Sequence, residues 1–118
     1  MSNVKLALLV LKTRQVDALR TFYSSLGIKL IEEQHGKGPI HFAGPIGDGV
    51  LEIYPLPEDG SVADGTTRLG FSVEGLGEII SELKARNTPI VSEPKVTQWG
   101  LRAVVRDPDG RSVELYGR

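Results

Sequence analysis

The 118-residue chain is 40% hydrophobic and 25% charged, with a formal net charge of −1. These values are ordinary for one compact domain with a modest core. Scattered basic residues argue against a nucleic-acid surface, and no apolar run is long enough to span a membrane. The chain has no cysteine, which excludes disulfides and thiolate metal sites. This composition predicts a cytoplasmic protein.

The first half of the sequence predicts a strand, a helix and three further strands. Residues 6–11 form a short, branched apolar run typical of a buried strand. From Val16 the apolar spacing is helical, and Gly27 would end the helix as a left-handed cap. Three more strands are predicted at residues 28–33, 40–43 and 50–54.

The second half repeats this order after a linker at residues 56–66, which is rich in proline, glycine and acidic residues. A strand at 69–73 precedes a helix that begins near Leu76 and ends at a second left-handed cap, Asn87. Strands follow from residue 90, at 101–106 and at 112–116, the last after the tight turn Asp107-Pro108-Asp109-Gly110. We therefore predict a single α+β domain of two βαβββ modules, about 3–55 and 67–118, each a curved mixed or antiparallel sheet backed by a helix.

A short repeat marks the last strand of each module. Leu51-Glu52-Ile53-Tyr54 returns as Val113-Glu114-Leu115-Tyr116. Because side chains alternate along a strand, each glutamate should lie on the face opposite its apolar neighbours. The predicted open face holds Ala7, Leu9, Glu52, Tyr54, Arg68, Gly70, Ser72, Glu114 and Tyr116. The predicted helix-covered face holds Leu8, Leu51, Ile53, Leu69, Phe71, Val113 and Leu115.

Three segments carry a resemblance to a known family. They are Phe22-Tyr23 followed by Leu26-Gly27, the strand at 68–73, and Asp107-Pro108-Asp109-Gly110 with Val113-Glu114-Leu115. With them the chain resembles the vicinal oxygen chelate superfamily of glyoxalase I, bleomycin-resistance proteins, fosfomycin-resistance enzymes and extradiol dioxygenases. The resemblance covers nearly the whole chain and implies the paired-module fold.

The resemblance also implies where a divalent metal would bind. Its last-strand ligands correspond to Glu52 and Glu114, whereas Ala7 (or Leu8, by an alternative alignment) and Arg68 stand where the family usually has histidine. Neither aliphatic residue can ligate a metal, and arginine is always protonated. We therefore expect a degenerate metal site in which an Arg68–carboxylate cluster replaces the ion, and no cofactor; a divalent metal on the two glutamates is the alternative.

Candidate site residues follow from this arrangement. Glu52 and Glu114 are interpreted first as a structural ion pair with Arg68 and second as ligand-binding residues. Third, as a coupled acid–base pair, they are the candidate catalytic residues. His35 and His41 match no strong zinc pattern, and the alternative role of Tyr54 and Tyr116 is aromatic packing at the interface between the modules. The candidate ligand-binding residues are Leu9, His41, Tyr54, Arg68, Trp99 and Tyr116.

Three functions remain open from the sequence. The first is a protein that binds a small molecule without a metal. Arg68 would favour an anionic ligand. The second is a divalent-metal-dependent lyase or transferase resembling glyoxalase I, and the third is a binding or regulatory module without chemistry. If the chain is an enzyme, the resemblance implies a glyoxalase I-like lyase or a related vicinal oxygen chelate enzyme. We expect a homodimer, because open sheet edges favour pairing with a second copy, and no nucleic-acid or membrane partner.

Overall fold

The secondary structure follows the predicted order twice. A computed structural model describes residues 3–117. The first module contains β1 (Leu8–Thr13), α1 (Val16–Ser25), β2 (Ile31–Glu33), β3 (His41–Ile46) and β4 (Gly49–Pro55). The second contains β5 (Leu69–Val73), α2 (Leu76–Ala85), β6 (Ile90–Thr97), β7 (Gly100–Arg106) and β8 (Ser112–Gly117). The predicted α+β fold of two βαβββ modules is confirmed. No helix within residues 3–117 is long and apolar enough to cross a membrane.

Each module builds its own four-stranded mixed sheet. The strand order is β1-β4-β3-β2 in the first and β5-β8-β7-β6 in the second. The first strand of each module runs parallel to the last, and the other pairs are antiparallel. The glutamate-bearing strands β4 and β8 are therefore central, with a neighbour on both sides.

Alternation along the central strands divides each sheet into a buried core face and an open face. Leu51 and Ile53 are fully buried in the first module, as are Val113 and Leu115 in the second. The apolar stripe of α1 buries Leu19, Phe22 and Tyr23, and that of α2 buries Leu76, Ile79, Ile80 and Leu83. Glu52 and Glu114 lie on the open faces between these buried neighbours, as predicted.

Strand β1 departs from the prediction by one position. Leu9 pairs with Leu51, and Leu11 pairs with Ile53. Laterally paired residues of neighbouring strands point to the same face, so Leu9 and Leu11 lie on the core face. The prediction that Leu9 shares the open face with the glutamate is therefore wrong. An uninterrupted apolar run has no alternation, and only its pairing with β4 determines which residues are buried.

The same register determines which residue of β1 corresponds to Arg68. Leu8 and Val10 pair with Val50 and Glu52, and thus lie on the open face. Since Leu69 pairs with Val113 as Leu9 pairs with Leu51, Leu8 occupies the position equivalent to Arg68. The assignment of Ala7 to that position, and of Leu8 to the helix-covered face, is corrected accordingly.

The Asp107–Gly110 turn is held by a buried ion pair. The Asp107 carboxylate accepts hydrogen bonds from the backbone amides of Asp109 and Arg111, at 2.9 and 3.1 Å. The Arg111 guanidinium donates to Asp107 at 3.0 Å and to Asp109 at 3.1 Å. Because all three side chains are buried, this turn fixes the register of β7 against β8.

The corrected register makes a stability prediction with a matched pair of leucines. Leu11 is 5% exposed and Leu8 is 54% exposed in the same strand. We expect Leu11→Ala to lower the free energy of unfolding by about 2–5 kcal/mol through loss of core contacts. In the monomer, Leu8→Ala should cost about 0.5 kcal/mol or less. Urea unfolding of both variants measures the difference, and equal costs would contradict the register.

Candidate functional site

The Glu114 carboxylate on the open face of the second module is surrounded by donors. Its Oε1 accepts hydrogen bonds from the Tyr116 hydroxyl at 2.7 Å and from Nη2 and Nε of Arg102 at 2.8 and 3.1 Å. Its Oε2 accepts one from Nη2 of Arg68 at 2.5 Å. We call these four residues the Glu114 cluster. Both carboxylate oxygens are thus occupied by charged or hydroxyl donors.

Strand pairing brings the cluster together. Arg68 directly precedes β5, where Gly70 pairs with Glu114. On the other side of β8, Arg102 pairs with Tyr116. The two arginines therefore approach the carboxylate from neighbouring strands on both sides, and Tyr116 approaches along its own strand.

The cluster holds Glu114 in its ionised form. The hydrogen bond from Tyr116, followed by those from Arg102 and Arg68, lowers the pKa of the Glu114 carboxyl to about 2. In turn, the hydrogen bond to Glu114 raises the pKa of Arg102. Stabilisation of the charged form by donors outweighs the partial desolvation of a side chain that is 13% exposed. At neutral pH this carboxylate is an anion that holds no proton to donate.

A cleft lies in the same module. Its volume is about 360 Å³, and Ser72, Trp99 and Tyr116 line it. Trp99 is 73% exposed on the tight turn between β6 and β7, where its backbone amide donates to Oγ1 of Thr97 at 3.1 Å. A large exposed indole beside a phenol ring offers apolar surface for a planar ligand. Tyr116 belongs to both the cleft and the Glu114 cluster.

The corresponding face of the first module has different chemistry. Glu52 pairs with Val10 and Ala43 across the sheet and is half-buried. Among residues 3–117, no hydrogen bond or ion pair joins its side chain to another residue. Tyr54 stacks on His41, with ring centroids 4.1 Å apart. Burial, followed by the charges of Glu52 and Glu33, raises the pKa of Tyr54.

His41 belongs to a second cluster of titratable groups. Oε1 of Glu33 lies 3.3 Å from Nε2 of His41 and 3.6 Å from Nε2 of His35. His41 is 1% exposed, whereas His35 is 74% exposed. We call Glu33, His35 and His41 the His41 cluster.

The structure thus distributes the predicted site residues between the two modules. Arg68 and Tyr116 both donate hydrogen bonds to Glu114, and Trp99 shares a cleft with Tyr116. In the first module, His41 and Tyr54 are in contact and share the open face with Glu52, whereas Leu9 belongs to the core face.

Two candidate site residues, Arg102 and Glu33, were missed by sequence reasoning. Arg102 could have been found, because the Asp107–Gly110 hairpin turn places it beside Tyr116 once the two strands are paired. Similarly, a hairpin through residues 34–40 pairs Glu33 with His41. In each case the available signal was cross-strand pairing rather than a sequence motif.

The sequence matches the Glyoxalase/Bleomycin resistance protein/Dioxygenase superfamily over residues 5–115. This match spans nearly the whole chain and agrees with the presence of two βαβββ modules. The chain therefore belongs to the Glyoxalase/Bleomycin resistance protein/Dioxygenase superfamily. Among curated proteins, no sequence matches it.

Solved structures share the fold at low sequence identity. An integron cassette protein from the mobile metagenome of V. cholerae has a TM-score of 0.71 and 23% identity, with 99% of this chain and 97% of that chain covered. TnmS3, an antibiotic binding protein from Streptomyces sp. CB03234, has a TM-score of 0.70 and 22% identity, with 99% and 98% covered. Lactoylglutathione lyase from Agrobacterium tumefaciens has a TM-score of 0.61 and 16% identity, with 99% and 96% covered.

The lowered pKa of Glu114 predicts a pH dependence of stability. A carboxyl whose pKa is lower in the folded state stabilises the fold above its unfolded value of 4.5, and this contribution is lost as the pH falls toward about 2. Glu114→Gln should therefore lower the free energy of unfolding at pH 7 by about 1.5–3 kcal/mol, the range for hydrogen bonds to a charged group. Between pH 5 and 2 the difference from the parent protein should shrink, as measured by urea unfolding.

The control is Glu74→Gln, which neutralises an exposed acid elsewhere in the same module. We expect it to leave stability nearly unchanged at every pH. If Glu114→Gln gave the same flat difference across the pH range, the cluster would not hold the carboxylate ionised in solution.

Proposed function

We propose that the chain binds a small planar anion in the cleft of Ser72, Trp99 and Tyr116, without a metal at the Glu114 position. The observation that carries this proposal is the Glu114 cluster, in which two arginines and a tyrosine donate hydrogen bonds to the carboxylate. The proposal describes a binding protein with a degenerate version of the family's metal site.

The donor set supports a metal-independent site. Of the four positions where the family's enzymes hold a metal, this chain has Leu8, Glu52, Arg68 and Glu114. A leucine offers no donor atom, and a guanidinium has no lone pair to give. The oxygens of Glu114 already accept four hydrogen bonds. A divalent ion does not fit this position unless both arginines leave, and a positive charge already occupies its place.

Charge favours an anionic ligand. Arg68 and Arg102 carry two positive charges against the single negative charge of Glu114, so the cluster has a net charge of +1. Arg68 is largely exposed and uses Nη2 for Glu114, which leaves other N–H groups to bind a carboxylate, sulfonate or phosphate. Such a group would be held beside Tyr116, at the edge of the cleft.

The aromatic lining favours a planar ligand. Trp99 and Tyr116 would bury substantial apolar area against a conjugated ring system, and the hydroxyl of Ser72 would supply a hydrogen bond. The antibiotic binding protein TnmS3 shares the fold, so sequestration of a drug-like molecule by this chain is a consistent form of the proposal.

A catalytic alternative depends on Glu52. A general base works best when its pKa is near the operating pH, and a carboxyl with a pKa of about 2 is a weak base. Within the described part of the chain, Glu52 is not engaged by any donor. If this protein performs the proton transfers of a lyase, Glu52 and not Glu114 would be the base.

We also propose that the chain forms a homodimer. Strand β1 is at the edge of its sheet, and its open face exposes Leu8 and Val10 beside Val50. An exposed apolar edge strand is commonly covered by pairing with another chain. A second copy would supply this cover.

Two probes with the same aromatic body test the anion proposal. The probes are 8-anilinonaphthalene-1-sulfonate and the neutral N-phenyl-1-naphthylamine. We expect the sulfonate to bind at least tenfold more tightly and to change the fluorescence of Trp99, the only tryptophan in the chain. Arg68→Ala should remove this preference by weakening the sulfonate alone, because the lost interaction is electrostatic. Titration calorimetry gives both affinities.

Arg86→Ala is the charge-matched control, since Arg86 pairs with Glu82 on the surface of α2. It should leave both affinities unchanged. Equal binding of the two probes by the parent protein, or an equal loss in the Arg68 and Arg86 variants, would contradict the proposal.

A further inference from the structure

The His41 cluster lies apart from the positions that the family uses for its metal. Glu33 is the last residue of β2, His41 is the first residue of β3, and His35 lies on the loop between them. The ligand atoms of the three side chains all lie within 4.8 Å of one another. No residue of the Glu114 cluster takes part, so the inference does not depend on the proposed function.

The imidazole of His41 faces acceptors through both nitrogens. Its Nδ1 lies 3.2 Å from the carbonyl oxygen of Pro39, and its Nε2 lies 3.3 Å from Oε1 of Glu33. A neutral imidazole carries one proton, which satisfies only one of these acceptors. With its proton on Nδ1, the imidazole donates to the Pro39 carbonyl, and the lone pair on Nε2 is open to the Tyr54 hydroxyl or to a metal ion.

The Tyr54 hydroxyl also approaches Nε2, at 3.2 Å. The two rings are nearly parallel, with an interplanar angle of 9° and centroids 4.1 Å apart. Tyr54 therefore packs against His41 and places its hydroxyl within hydrogen-bond distance of Nε2.

We propose that Glu33, His35 and His41 bind a zinc-class divalent ion. The N–H at Nδ1 of His41 would donate to the Pro39 carbonyl, which is the usual arrangement for a histidine ligand and fixes Nε2 as the donor to the metal. Two ligand atoms about 2.1 Å from a tetrahedral zinc ion lie about 3.4 Å apart. The two separations from Oε1 of Glu33, 3.3 and 3.6 Å, match this spacing, and the ligand atoms of the two histidines lie within 4.8 Å of each other.

The choice of ion follows from the ligands. Two imidazoles and one carboxylate suit zinc and its first-row neighbours rather than calcium or magnesium, which prefer oxygen donors. Three protein ligands leave a fourth position for water or a substrate atom, with the Tyr54 hydroxyl close to the ligand atom of His41. His35 lies on an exposed loop, so its side chain can move to complete the coordination of the ion.

Zinc titration of the tag-free chain, after removal of metals with a chelator, tests this proposal. Calorimetry should show one zinc ion per chain, and cobalt should give the visible absorption of a four-coordinate site. His35→Gln and Glu33→Gln should each weaken zinc binding at least tenfold. Glu32→Gln is the matched control, because Glu32 is the exposed neighbour of Glu33 and pairs with Phe42 rather than His41.

Two results would overturn the proposal. One is the absence of saturable zinc binding. The other is zinc binding that survives His35→Gln and Glu33→Gln but is lost in Glu114→Gln or Glu52→Gln, which would return the ion to the family position. His35 is exposed, so its variant tests the site without disturbing the buried His41. Probe binding measured in chelator reports on the cleft separately.

Discussion

The chemistry of the second module depends on one carboxylate and the donors around it. Glu114 is a central-strand residue between two flanking strands, and each strand contributes one arginine. Desolvating a carboxylate is unfavourable unless donors compensate it, and here two guanidinium groups and the Tyr116 hydroxyl do so. The same hydrogen bonds orient Tyr116 at the cleft and leave a net positive charge beside it.

The internal repeat places different side chains at equivalent positions of the two modules. Strand pairing relates Leu8 to Arg68, His41 to Arg102, Glu52 to Glu114 and Tyr54 to Tyr116. In the second module, Arg68 and Arg102 both donate hydrogen bonds to Glu114, which lies between them. In the first module, Leu8 stands at one of these positions. His41 stands at the other and lies against Glu33. Within residues 3–117, Glu52 therefore has none of the hydrogen-bond partners that Glu114 has, and His41 lies beside a second carboxylate, that of Glu33.

Sequence reasoning found the module order because helical and strand periodicities differ clearly in this chain. It also placed Glu114 opposite its buried neighbours, because Val113 and Leu115 alternate with it. The face of β1 was wrong, since residues 6–11 are apolar at every position and only pairing with β4 distinguishes Leu8 from Leu9. Arg102 and Glu33 were missed for a related reason, because their roles arise from cross-strand neighbours that no linear motif records. Cytoplasmic location stays a prediction.

We infer that Arg68, Arg102 and Tyr116 take the place of a metal ion at Glu114 and keep its carboxyl ionised. Carbon-13 NMR of the glutamate side-chain carboxyls, followed from pH 7 to pH 1.5, tests this claim most directly. The resonance of Glu114 can be assigned by its absence in Glu114→Gln. The account predicts a titration midpoint of about 2 for this carboxyl. A midpoint near the ordinary value of 4.5 would contradict it, because the arginines would then not be bound to Glu114 in solution.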